Sequence, residues 1–440
     1  MPQPSRSKSK ESEALAARLA AFEVLRQVLY RKRPLDDAFT GTPAFSELQG
    51  ADRGYAAFIV RVCLKRLGQI DALIAHCMPA PLARKARPVY DVLRVGIAQL
   101  LFSVTAEHAA VSTTVDLCRA VGQQPFAKLT NAVMRRLQRE GVELMATQDA
   151  ALLNTPDWLW QSWCTTYGLD TAHAIAEAHL GTPPIDLTTK SDNAGWAEKL
   201  GGTVILEGTV RLVDADDVTA LPGFNDGAWW VQDAAARLAV TLLGDITGKR
   251  VFDLCAAPGG KTLELVNGGA VVTALDISER RMQRVRENLE RTALEAELVV
   301  DDARTWQPAQ QADIVLLDAP CSSTGTLRRH PDVQHLKSAE DIAKLATVQG
   351  GLLDAAAMLV TPGGTLMYVT CSLQPEEGPE AVEKFLARNA GFIRTPISKS
   401  ELPGLTEAIT KDGDLRTLPS FLAEQGGMDG FFAARLQRKP

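Results

Sequence analysis

The chain has 440 residues, 46% of them hydrophobic and 23% charged, with 33 Gly and 23 Pro. This is ordinary globular usage and excludes a disordered, collagen-like or coiled-coil chain. At about 100–200 residues per domain the length predicts two or three separately folded parts. Net charge is −6 but unevenly spread: residues 1–150 carry 21 Lys+Arg against 14 Asp+Glu, or +7, and the remainder carries 26 against 39, or −13. A basic front allows a polyanionic partner, although a solvated helix face produces the same pattern. The cysteines are Cys63, Cys77, Cys118, Cys164, Cys255, Cys321 and Cys371, an odd number with no CxxC pair, so neither a disulfide framework nor a metal knuckle is expected. A reducing, cytoplasmic setting follows, without a metal. The basic segment MPQPSRSKSK precedes no apolar segment of signal type, so neither export nor a membrane partner is expected.

From Glu11 to Gly141 the apolar residues recur at helical spacing, as in Leu15, Leu19, Phe22, Leu25 and Leu29, with Arg18, Glu23 and Arg26 between them. Further helices are expected over 51–77, 87–102, 111–121 and 126–139, giving an all-helical domain whose basic positions include Arg61, Lys65, Arg66, Arg135 and Arg136. Residues 1–11 read as a flexible N-terminus and 12–145 as the helical domain. Residues 146–227 change character, with Trp158, Trp160 and Trp163 followed by Pro183 and Pro184, and read as a small α+β connecting subdomain. So tight a Trp cluster is expected to pack an interface between two domains, with base stacking as the alternative.

From residue 228 to the end, strands alternate with helices. The runs 251–255, 271–276, 296–303, 313–321 and 365–372 are short and apolar, as buried strands are. Helices are expected over 278–292 and 338–360, the second opening on a capping box of Ser338 and Asp341. This alternation predicts a Rossmann-like, doubly wound, mostly parallel sheet, which binds its ligands at the carboxyl ends of the strands.

The segment VFDLCAAPGGKT puts Ala, Pro and two Gly between the first such strand and a helix, so backbone can approach a ligand closely at a helix N-terminus. A P-loop fails because Cys255 stands where its first Gly is needed, and GxGxxG fails because only the adjacent Gly259 and Gly260 are present. S-adenosylmethionine fits better. Asp276, ending the second strand, suits ribose hydroxyls, and Asp302, after the third, suits an adenine amino group. A helix cap or turn explains either acid taken singly.

DAPCSSTG ends the fourth strand and TCS the fifth, which brings Asp318, Cys321 and Cys371 to the rim of the cofactor loop. Carbon 5 of cytosine is too weak a nucleophile to attack a sulfonium methyl unless a thiolate first adds to carbon 6. Asp318 would hydrogen-bond ring nitrogen 3, and Lys261 would lower a thiol pKa or position the base. The second cysteine would serve removal of the carbon 5 proton. Which cysteine attacks stays open on this reading, and two inert strand-end thiols are the bland alternative. DAPC also speaks against amino methylation, which favours an AsnProPro-aromatic clamp.

These residues resemble the bacterial 16S ribosomal RNA cytosine-C5 methyltransferases. DLCAAPGGKT, ALDISERRMQRVRENLER, LLDAPCSSTGTLRRHPDV, YVTCSLQPEE and GMDGFFAARL look like that family's motifs in its order. LRVGIAQLLF, EHAAVSTTVDL and LTNAVMRRL look like the NusB-type RNA-binding domain that this branch carries in front. The resemblance implies that Cys255, Ala256, Ala257, Pro258, Gly259, Gly260, Lys261, Asp276, Asp302 and Asp318 contact S-adenosylmethionine. It further implies that Cys371 is the nucleophile, that Cys321 assists product release, and that a monomer acts on 16S ribosomal RNA. The chain departs from the pattern at LTTK (187–190), where Arg and Asn are expected, and in QPEEG, where Glu377 replaces a commoner Asn. Transfer RNA as substrate, or a non-catalytic RNA-binding antitermination factor, are the competing functions.

Overall fold

The computed structural model describes residues 6–78, 80–206, 208–213 and 217–440, with side chains from residue 14 onward. Two compact units result. The first takes the chain as far as Cys164, with Leu169–Leu180 and His330–Lys337; the second takes Thr165–Gly168, Gly181–Arg329 and Ser338–Pro440. Of the N-terminus expected to be flexible, residues 1–5 lie outside the described residues and residues 6–11 lie within the first helix.

The first unit is helical. Its long helices are Arg6–Arg31, Gly50–Lys65, Leu67–Cys77, Arg87–Phe102, Glu107–Ala120 and Ala127–Ala146. Their apolar faces meet in one core that includes Leu25, Ile59, Leu64, Ile70, Leu93, Ile97, Leu117 and Leu137. The helix expected over 51–77 breaks at Arg66, whose φ of −111° and ψ of 19° leave the α region. Just beyond the break, a Cβ on Gly68 would stand 1.7 Å from the Leu153 carbonyl oxygen, so the next helix starts in close contact with that backbone. Asp91 is fully buried and accepts hydrogen bonds from Arg26 at 2.5 Å, Arg94 at 2.8 Å and Tyr30 at 2.9 Å, which compensate its desolvation.

Several basic positions of the front are occupied within this unit. Arg61 lies over the Phe39 ring, Arg66 over that of Phe102, and Arg136 pairs with Glu140. Trp163 is fully buried against His179, and Trp160 meets His173 edge-on, all on helices of this same unit. The Trp cluster therefore packs one helical layer on the next, and corrects the expectation of an interface between domains. His330–Lys337 also belongs here. The Asp332 carboxylate accepts from Leu35 N at 2.9 Å, His335 Nε2 lies 2.8 Å from Leu64 O, and Leu336 packs on the helical core.

The second unit contains two sheets. The smaller joins β1 (Ile185–Thr189), β2 (Thr203–Ile205), β3 (Thr209–Leu212) and β4 (Trp229–Val231) in the antiparallel order β2-β3-β1-β4. Its buried centre holds Leu187, Val210 and Trp229, with a fully buried Arg211–Asp186 pair at 2.7 Å. The larger is built from β5 (Arg250–Leu254), β6 (Val271–Asp276), β7 (Glu297–Val300), β8 (Ala312–Asp318), β9 (Val360–Thr370), β10 (Phe392–Arg394), β11 (Leu415–Arg416) and β12 (Phe432–Arg438). The parallel strands follow the order β9-β8-β5-β6-β7, and β12 then β10 extend the β9 edge antiparallel. The Rossmann-like class holds, with an antiparallel edge that apolar runs alone did not reveal.

The helix Ala339–Leu359 opens on the expected Ser338–Asp341 capping box. It is long and apolar enough to cross a membrane by length and composition. Here its Leu352, Leu353 and Ala356 are buried in the sheet core beside Val315 and Tyr368.

Gly96 offers a test of the helical packing, because a Cβ there would stand 2.5 Å from the Thr114 side chain. Gly96→Ala should cost about 1–3 kcal/mol through overpacking and lower the melting midpoint. Gly54→Ala, where a Cβ would meet nothing within 4 Å, should raise it slightly. Differential scanning calorimetry of both variants checks the pair.

Candidate active site at the strand ends

The loop after β5 turns sharply. Cys255 has φ +61° and Gly259 φ +105°, and Gly259 caps the helix Gly260–Asn267. At Gly259 a Cβ would be strained by that φ and would crowd Val285 at 3.2 Å, so glycine is required there. The loop is tied to the end of β6. Ala256 N donates to Leu275 O at 3.0 Å, Ala257 N to Asp276 Oδ2 at 3.2 Å, and Ser278 N to Asp276 Oδ1 at 3.0 Å. Arg281 stands 3.3 Å from the same carboxylate and donates to Ala257 O. Asp276 is thus first an anchor for the loop, which sequence spacing did not disclose.

A cavity of about 250 Å³ opens beside this loop, with Cys255, Asp276, Ile277, Asp302, Pro320 and Val348 in its walls. Two carboxylates with apolar walls between them suit a nucleoside, whose hydroxyl and amino groups donate and whose ring packs. S-adenosylmethionine therefore fits the residues present. Asp302 also closes a turn: Arg304 N donates to it at 3.0 Å and the Arg304 guanidinium grips it at 2.5 Å. That hydrogen bond holds the Asp302 carboxyl below its ordinary value. The thiol of Cys255 is pushed up to about 12 by burial, which leaves it an inert wall.

Polar groups under the loop keep it rigid. Asp253, fully buried, accepts from Thr262 Oγ1 at 2.6 Å, and burial pushes its carboxyl up to about 7. Glu264 is pushed up to about 8 by burial and accepts from Gln232 at 2.9 Å, whose Oε1 accepts from Thr188 at 2.9 Å. The departure at LTTK thus serves this network through Thr188. Lys190 meanwhile donates to Thr292 O.

Parallel pairing of β8 with β9 sets Asp318 opposite Val369 and brings the two cysteine loops together. Cys321 Sγ lies 3.4 Å from Cys371 Sγ, and Ser323 Oγ stands 3.5 Å from the latter. A hydrogen bond from Cys321, opposed by burial and helped by Ser323 and Lys261, holds the Cys371 thiol below its ordinary value. The same bond and burial push Cys321 up. The pair thus sets a thiol whose pKa is lowered beside one whose pKa is raised. Lys261 Nζ donates to Asp318 Oδ2 at 2.8 Å and lies 5.2 Å from the Phe431 ring centre. Burial works against the Lys261 ammonium, but the charge and hydrogen bond of Asp318 outweigh it and leave its pKa raised.

Residues without a role in the sequence reading hold this pair. Gly325 N donates to Cys371 O at 3.0 Å, and Gly430 N to Gly325 O at 2.8 Å. A Cβ on Gly325 would stand 1.9 Å from Gly430 O, so two glycines of separate motifs exist for one backbone crossing. Arg328 and Arg329 bind Asp429 at 2.9 and 3.1 Å, and Arg329 binds Asp233 at 2.7 Å. Glu377 is buried between the segments that follow the two cysteines. In the sequence Glu377 is marked only as a departure from the commoner Asn, and the two glycines, Arg328, Arg329 and Asp429 only by lying within the motifs. Among the described residues, no cluster of His, Cys, Asp and Glu able to hold a metal occurs.

Comparison with known proteins follows the same division. Residues 240–437 match the family described as 16S rRNA methyltransferase RsmB/F, and residues 15–139 match the NusB family. The ribosomal RNA small subunit methyltransferase B of Pseudomonas putida KT2440 is 38% identical over 439 residues, covering 95% of this chain and 98% of that protein. Its namesake in Cronobacter sakazakii is 35% identical, covering 97% and 100%. Among solved structures, that titled Crystal Structure of PH0851 superposes with a TM-score of 0.74 at 24% identity, covering 96% of this chain and 99% of that one, which supports the fold.

Two measurements test the geometry. Asp276→Ala should weaken S-adenosylmethionine binding at least about tenfold by calorimetry, since it removes both a cavity wall and the loop anchor. Iodoacetamide should alkylate Cys371 with a pH midpoint below that of an ordinary thiol. In Cys321→Ala, which lacks the donor, that midpoint should rise, as read by mass spectrometry of the labelled peptide.

Proposed function

Because the chain belongs to the 16S rRNA methyltransferase RsmB/F family, and is an RNA methyltransferase that uses S-adenosylmethionine, we propose that it methylates carbon 5 of one specific cytosine in 16S ribosomal RNA. It acts in the cytoplasm, as a monomer, through a covalent bond between Cys371 and carbon 6. The observation that carries this reading is the 3.4 Å thiol pair beside the Lys261–Asp318 ion pair. A pair of cysteines so arranged has no use in amino or hydroxyl methylation.

S-adenosylmethionine would be held by the 255–261 loop, Asp276 and Asp302, and would supply an electrophilic methyl group, its sulfonium sulfur leaving as a neutral thioether. The Cys371 thiolate adds to carbon 6, and carbon 5 becomes nucleophilic. Charge developing at nitrogen 3 is met by a proton of the Lys261–Asp318 pair. With the methyl on carbon 5, the proton there leaves to a base served by Cys321, directly or through water. The carbon–sulfur bond then breaks, the double bond between carbons 5 and 6 re-forms, and Cys371 is a thiolate again. The NusB-family unit in front favours ribosomal over transfer RNA as the substrate.

Cys371→Ala should abolish methyl transfer with little change in S-adenosylmethionine affinity. Cys321→Ala should instead leave a protein–RNA adduct that survives denaturing electrophoresis. An adduct that needs Cys321 rather than Cys371 reverses the two roles. Bisulfite sequencing of total RNA with and without the gene should show one lost 5-methylcytosine in 16S ribosomal RNA; a lost site in transfer RNA instead overturns the substrate.

A further inference from the structure

The ladder that aligns the two cysteine loops ends before it reaches them. Its last pairing sets Asp318 opposite Val369, and one more bond joins Ala319 N to Val369 O at 2.9 Å. Cys321 lies beyond that point, on a loop that continues through Ser323 at φ +59°, a conformation that favours glycine. Something other than the sheet must keep its thiol near that of Cys371.

We propose that Glu377 is the positioning residue of this active site, its single carboxylate clasping the residues that follow both cysteines and so setting the gap between the thiols. The side chain is fully buried. Oε1 accepts from Ser322 N at 2.9 Å and from Gln349 Nε2 at 3.0 Å. Oε2 accepts from Ser372 Oγ at 2.5 Å and from Ser322 Oγ. Ser322 follows Cys321 and Ser372 follows Cys371, so this one carboxylate bridges the two cysteine-bearing segments. Ser322 and Ser372 also meet each other, Oγ to Oγ, at 3.1 Å.

The clasp is itself fixed from behind. Glu377 O accepts from Tyr368 Oη at 2.8 Å and Thr370 Oγ1 at 3.2 Å, both on the strand that ends at Cys371. Gln349 Nε2 also donates to Pro320 O at 2.9 Å, tying the residue before Cys321 into the same network. A buried carboxylate is costly unless fully hydrogen-bonded, and a neutral side chain would fill the space without that cost. Four donors converging on one carboxylate, each within two residues of a cysteine or bridging to one, point to placement of the thiols as what the charge accomplishes. Glu377 acts through Ser322 and Ser372 and touches neither thiol.

This inference rests on the roles proposed for Cys371 and Cys321, and its test separates the two. Glu377→Gln keeps the shape but sets an amide N–H against donors. Its kcat should fall about 10–100-fold, the scale for an angstrom of misplacement, while the S-adenosylmethionine Kd and the RNA KM stay within about twofold. The alkylation midpoint of Cys371 should rise, because the Cys321 donor is no longer held beside it. In a Cys321→Ala background the variant should form the adduct more slowly. Glu377→Asp, which keeps the charge one methylene further back, should recover part of kcat. A wild-type kcat, or a kcat that falls only in step with Kd, KM and melting temperature, overturns the proposal. Should Glu377→Gln fail to fold, the Ser322→Ala/Ser372→Ala double variant removes the hydroxyls alone and must show the same split; a wild-type kcat there also overturns it. Transfer that persists in Cys371→Ala strikes instead at the roles of the cysteines.

Discussion

Everything the second unit offers chemically depends on the parallel pairing of β8 with β9. Parallel strands run the same way, so their carboxyl ends finish at one rim, and residues beyond each strand become neighbours though about fifty positions apart in sequence. Neither cysteine is remarkable alone. Paired in this register, one thiol lowers the other's pKa, which favours the thiolate that the proposed reaction needs. A slip in the pairing would separate them and turn the buried face of β9 outward.

Burial and charge are balanced with care around that rim. Lys261 and Asp318 compensate each other, as do Arg328 and Arg329 with Asp233 and Asp429, and each charge left in the low-dielectric interior has hydrogen-bonding partners. Burial nevertheless pushes up the carboxyls of Asp253, Glu264 and Asp429. The same economy serves the helical unit at Asp91.

Periodicity made the helical front and the alternating half legible, because apolar residues at a 3.6 spacing and short buried runs are direct consequences of burial. The site was legible where its chemistry demands particular residue types: two thiols, a carboxylate and a lysine after strand ends, and glycine where φ is positive at Gly259. What stayed hidden was everything set by contact between distant segments. The need for Gly68 depends on Leu153, the need for Gly325 depends on Gly430, and the anchoring duty of Asp276 depends on the backbone of Ala257. Trp163 looked like a domain interface because a sequence does not say which helix lies opposite it. His330–Lys337 read as part of the α/β half because chain neighbourhood is the only neighbourhood a sequence displays.

That last segment bears on how the protein can be taken apart. Asp332 and His335 meet the backbone of Leu35 and Leu64 through hydrogen bonds and Leu336 packs on the helical core, yet they lie between the two cysteines in sequence. A fragment that begins after the helices would leave a half-buried histidine and leucine facing water in the loop that leads away from Cys321. The two halves are thus interleaved rather than strung end to end, and neither could be transplanted whole into another chain by a single splice.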